Sequence, residues 1–147
     1  MRKIALPSVF ALICISIVFA AMQKTEWVVP EEAKKLRNPV QRSGAAIKAA
    51  KDLYLENCAQ CHGETGKGDG PESMTHHPAP ANLTDAKRMS GVTDGEIFYQ
   101  ISEGRKPMPA FKKRMTEEQR WQLVLLVRSF AEPTSAGETE RAHATKK

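Results

Sequence analysis

Cys58-Ala59-Gln60-Cys61-His62 places two thiols and an imidazole within five residues. Two cysteines separated by two residues and followed directly by histidine have the spacing that attaches a c-type haem. Each thiol can add to one vinyl group of the porphyrin, and the histidine comes to lie beneath the ring, where it can ligate iron. Two other chemistries use a C-x-x-C pair. A zinc site needs a second ligand pair, and His76 and His77 are adjacent rather than three to five residues apart. A redox dithiol should follow a strand inside a βαβ pattern, whereas this motif ends a helix-like segment and no strand-rich region surrounds it.

A six-coordinate iron needs a second ligand, and the candidates are Met74, Met89, Met108, Met115, His76 and His77. Met108 is the favoured one. It stands between Pro107 and Pro109, so a stiff backbone can hold the thioether against iron with little ordering cost. Ala110 and Phe111 follow and can close an apolar wall. Met115 precedes a helix cap and Met89 sits in a short polar stretch, where methionine usually serves packing. Met74 lies close after the motif, too near in sequence to reach across a ring. His76 and His77 read as loop residues.

The elements that must position these groups are helical. Ile47, Ala50, Leu53 and Tyr54 recur at three- and four-residue spacing behind Ser43, an N-cap residue, and predict a helix to about Asn57 that ends at the motif. Gly63, Gly66, Gly68 and Gly70 then predict repeated turns. Pro71, Pro78 and Pro80 give an extended path to Asp85. Thr93-Asp94-Gly95-Glu96 is a capping box for a helix ending at Gly104, and Thr116-Glu117-Glu118-Gln119 opens another that runs to Pro133. The first and last of these helices can cross, with Ala50 small enough for close approach. Tyr54, Leu123 and Val127 read simply as core.

At 147 residues the chain is one domain by length, and not all of it is domain. Ile4 to Met22 is an almost unbroken apolar run behind Arg2 and Lys3 and predicts an export signal at 1–20, cleaved before Ala21, or an uncleaved N-terminal membrane anchor. Residues 21–42 form an extended leader, with a short helix from Glu31 to Leu36 and Pro30 in its first turn. The folded domain is expected at 43–132 and a disordered tail at 133–147. Cleavage removes Cys14 and leaves Cys58 and Cys61, so no disulfide remains and a tethered haem must supply core instead. The sequon Asn82-Leu83-Thr84 is accidental in a periplasmic protein. A formal charge of +5, lowered by the loss of Arg2 and Lys3, with basic residues not interleaved with aromatics, argues against nucleic-acid binding.

The segments Cys58-Ala59-Gln60-Cys61-His62-Gly63, Gly66-Lys67-Gly68-Asp69-Gly70-Pro71, Pro80-Ala81-Asn82-Leu83-Thr84-Asp85 and Gly104-Arg105-Lys106-Pro107-Met108-Pro109-Ala110-Phe111 together resemble a class I cytochrome c, closest to oxidase-associated and small periplasmic members. The resemblance implies an all-α fold with crossing N- and C-terminal helices around one haem, tethered through Cys58 and Cys61 and ligated by His62 and Met108. It implies one-electron transfer without enzymatic turnover. It also implies a proline carbonyl, from Pro80 or Pro71, as acceptor for the second imidazole nitrogen of His62. Arg105, Lys106, Lys112, Lys113 and Arg114 flank Met108 with no acid among them and predict docking to an acidic redox partner. A membrane-anchored subunit of a larger respiratory oxidoreductase is the alternative, and a haem peroxidase or sensor with an open iron position the more distant one.

Overall fold

The computed structural model describes residues 27–132; the export signal and the C-terminal tail expected from the sequence lie outside them. Among the described residues the architecture is all-α: α1 Glu31–Lys34, α2 Gly44–Asn57, α3 Ala59–His62, a 3₁₀ turn Ser73–Thr75, α4 Ala86–Ser90, α5 Asp94–Glu103 and α6 Glu117–Ala131. The long helices start where their caps lie. Ser43 Oγ accepts the Ala46 N–H at 3.1 Å, and both capping boxes close, Thr93 with Glu96 and Thr116 with Gln119. Each box satisfies two of the amide donors that a helix start leaves unpaired.

Among the described elements the most extensive contact is α2 with α6. Ala50, 0% exposed, sits in the core that these helices share, where its single methyl group lets the backbones approach. Leu123, Val124, Leu126 and Val127 of α6 fill the same core. Phe98 of α5 stacks on Trp121 of α6 with ring centroids 4.0 Å apart. Arg128 fixes the other end of α6: its guanidinium donates to Asp94 Oδ1 at 2.6 Å and to the Met89 and Val92 carbonyls. One buried-side cation thereby satisfies the last carbonyls near α4 and the first turn of α5.

One local expectation changes, and one helical turn is added to those the sequence predicts. The stretch 86–90 is a helical turn, capped by Asp85 accepting the Arg88 N–H at 3.1 Å, and its Met89 is buried in the core. The apparent polarity of Ala86-Lys87-Arg88 hid a single inward residue. Pro30 is the N-cap of α1 rather than a first-turn residue, and the helix stops at Lys34 instead of Leu36. The segment from Trp27 to Arg42 is laid along the domain as a strap. Val29 and Ala33 are buried, a Cβ on Gly95 would overlap the Ala33 carbonyl, and Asn38 Nδ2 donates to the Trp121 carbonyl at 3.0 Å.

Candidate functional site

Cys58 is the C-cap of α2, with its N–H on the Tyr54 carbonyl at 2.8 Å. The chain then makes one further turn, α3, which carries Cys61 and His62. A helix end leaves carbonyls without partners, and here the glycine-rich loop supplies them. Gly68 N–H donates to His62 O at 2.8 Å, Gly70 N–H to Cys61 O at 3.1 Å, and Glu72 N–H to Gln60 O at 2.8 Å. Close approach explains the glycines: a Cβ on Gly70 would overlap the Gln60 carbonyl, and one on Gly68, at φ +80°, would lie 2.6 Å from the Pro80 carbonyl. Tyr54 completes the set by donating its hydroxyl to Gly63 O at 2.8 Å. Burial pushes the Tyr54 hydroxyl well above its usual range, so it stays a donor at any working pH. Sequence reasoning assigned Tyr54 to the core alone; its position one turn before the motif was the available signal.

The loop also fixes what stands beside His62. Leu83 N–H donates to Gly66 O at 2.6 Å, which draws residues 80–83 against the motif, and His62 Nδ1 lies 3.1 Å from the Ala81 carbonyl. The acceptor is therefore Ala81, not Pro80 or Pro71. Pro80 fixes the path of the chain, and the next peptide presents the oxygen. A carbonyl can only accept, so Nδ1 carries the proton and Nε2 keeps its lone pair. Burial, only partly offset by the Ala81 bond, holds the imidazole below its ordinary range and favours that neutral form.

Cys58 and Cys61 are both free thiols. Burial pushes Cys58 up to about 12, with the neighbouring Cys61 adding to the shift, and burial with Glu72 raises Cys61. Both shifts favour the protonated thiol. Two free thiols on one turn beside an imidazole with one nitrogen already committed form a donor set that fits a covalently held haem.

Met108 lies in a tight turn after α5. Arg105 N–H donates to Met108 O at 2.9 Å and Met108 N–H to Arg105 O at 2.8 Å. The loop base is held by Phe111 N–H on Ile101 O and Lys112 N–H on Ser102 O, at 3.1 and 3.0 Å, and Phe111 is buried. Met108 is half-buried against the core cluster. The other candidates fall elsewhere: Met89 and Met115 are core residues at 5% and 7% exposure, and Met74 is 87% exposed. His77 is exposed, while His76 Nε2 lies 3.9 Å from Glu72. Together with Cys61 these two place three potential metal-ligand atoms within 4.8 Å of one another, a grouping invisible to sequence spacing. It shares its sulfur with the haem motif.

The family of cytochrome c oxidase, cbb3-type, subunit III matches residues 45–127, more than half of the chain. The chain belongs to this family. It is a class I c-type cytochrome domain, an electron-transfer module of a family that carries covalently bound haem c. FixP, a cbb3-type cytochrome c oxidase subunit of Bradyrhizobium diazoefficiens, is 33% identical over 78 residues, 52% of this chain and 24% of its own length. The chain thus spans about a quarter of that relative. Cytochrome c6 of Leptolyngbya boryana is 31% identical over 81 residues, which cover 87% of it and 54% of this chain. Among solved structures, the c-type cytochrome KustC0563 superposes with a TM-score of 0.51 at 31% identity, covering 98% of that chain and 56% of this one. A reducing HAO-like protein complex from Kuenenia stuttgartiensis gives 0.56 at 25% identity, covering 77% of this chain and 54% of the other. No helix among the described residues is long and apolar enough to cross a membrane.

Proposed function

We propose that this chain is a periplasmic mono-haem cytochrome that passes single electrons between redox proteins, with thioether links at Cys58 and Cys61 and with His62 and Met108 as iron ligands. The observation that carries the reading is the His62 ring held by Ala81 beside two free thiols. When bound, the haem supplies a one-electron ferrous/ferric couple, and histidine–methionine ligation favours the ferrous side. The chain's own residues hold the imidazole tautomer, close the Met108 turn and keep Phe111 as an apolar wall. Lys106, Lys113 and Arg114 are exposed around that turn and suit an acidic partner, whereas Lys112 is paired with Glu103 at 2.8 Å and adds little. A steep fall of the partner reaction rate with rising salt is expected; indifference to salt removes the docking assignment.

The deciding experiment is the absorption spectrum of the exported holoprotein, oxidised and reduced. A low-spin spectrum with the weak methionine-to-iron band, lost in Met108→Ala, supports the carrier. A high-spin spectrum that shifts on adding a small ligand points instead to a peroxidase or sensor. A second reading, a membrane-anchored subunit of a respiratory oxidoreductase, is favoured by the likeness to FixP, a subunit of a cbb3-type oxidase. A mature terminus near Ala21 supports the soluble carrier; an intact Met1 in the membrane fraction supports the subunit.

A further inference from the structure

The strap at 27–42 ends on the turn that carries Met108. Its anchoring lies further along: Val29 and Ala33 are buried, the Ala33 carbonyl abuts Gly95, and Asn38 is tied to α6. From that fixed base Trp27 reaches the guanidinium of Arg105, whose Cζ lies 4.6 Å from the indole centroid. Arg105 in turn makes both backbone hydrogen bonds of the turn with Met108. The two residues between them, Lys106 and Pro107, are exposed, as are Pro109 and Ala110. Grip on the tip of the loop therefore comes through Arg105 and Met108 themselves. Trp27, Val28, Tyr99, Glu103, Gly104 and Arg105 also line an open cleft of about 250 Å³. That is smaller than the usual range for a small-molecule site, so the cleft reads as the seam of the clasp.

We infer that Trp27 is a positioning residue for Met108: by stacking on Arg105 it holds the turn closed and so sets how firmly the thioether occupies its iron position. The inference rests on Met108 being an iron ligand. An incoming ligand must first open the turn, so its apparent affinity carries the free energy of that opening. A cation–π contact at a partly exposed site contributes enough to change such an equilibrium several-fold, and tryptophan is the strongest ring for it.

The test is imidazole titration of the oxidised, full-length holoprotein, read by the haem absorption spectrum together with the methionine-to-iron band where it is present, and run beside a denaturation curve. Five proteins are compared: wild type, Trp27→Ala, Trp27→Phe, Met108→Ala and Ser43→Ala. Trp27→Ala is expected to bind imidazole about three- to tenfold more tightly than wild type, with Trp27→Phe between them. Ser43→Ala removes the cap of α2, outside the strap, and is expected to lower the denaturation midpoint without changing imidazole affinity. An unchanged affinity in Trp27→Ala overturns the inference, and so does an equal gain in Ser43→Ala, which would mean general loosening. A wild type that lacks the band, or a Met108→Ala protein that binds imidazole no better than wild type, also overturns it. That last outcome strikes the ligand assignment itself and is distinguishable from a failure confined to Trp27.

Discussion

The surroundings of His62 and those of Met108 are held by different means. On the His62 side the carbonyls of Gln60, Cys61, His62 and Gly63 each meet a donor, from Glu72, Gly70, Gly68 and Tyr54, and Ala81 fixes the ring. The backbone is over-determined there, because any one contact is supported by several others. On the Met108 side two hydrogen bonds close the turn, two more hold its base, its tip is exposed, and a stacked guanidinium adds to the grip. On the proposed ligation, the first side would fix where the haem attaches, and the lighter side would leave Met108 adjustable by residues outside the motif. Substitutions on the first side should thus damage attachment or stability, and those on the second should change ligation while the fold persists.

The largest expected effect is on attachment. Replacing Cys58 and Cys61 together by serine should leave no haem on the denatured chain, read by haem staining after denaturing electrophoresis; retained stain would mean a different tether. Next comes Met108→Ala, which should keep the covalent haem and the helical content yet lose the methionine-to-iron band and lower the reduction potential. A protein that also unfolds would erase the contrast between the two sides. Gly68→Ala meets the Pro80 carbonyl at 2.6 Å from a φ of +80° and should cost about 1–3 kcal/mol in denaturant unfolding, with the band retained. Tyr54→Phe removes one donor from Gly63 O, which still accepts the Gly66 N–H at 3.1 Å. A loss of about 1 kcal/mol is expected, again without change at Met108. Smallest is Lys112→Ala, which breaks an exposed pair with Glu103 and should cost less than about 1 kcal/mol, vanishing at high salt.

Features written over a few neighbouring residues could be read in advance. Ser43, Thr93 and Thr116 cap their helices because a side chain can bond an amide two or three residues on wherever the helix later lies. The helix at Ala86–Ser90 escaped that reading although Asp85 is a fair cap, since one inward residue in five gives no periodicity. The grouping of Cys61, Glu72 and His76 and the role of Tyr54 escaped it as well, for they depend on a loop folding back onto a helix end.

By itself the sequence determined an all-helical chain, a haem-type motif at the end of a capped helix, and a glycine-rich turn that must follow it. Spacing and capping are local chemistry, complete within one or two turns of chain. Only the tertiary structure decided that Ala81 rather than a proline faces His62, that Lys112 is paired, and that Trp27 reaches the Met108 turn. Those contacts join residues remote in sequence, and which of them form depends on the path the backbone takes to satisfy its own buried hydrogen bonds.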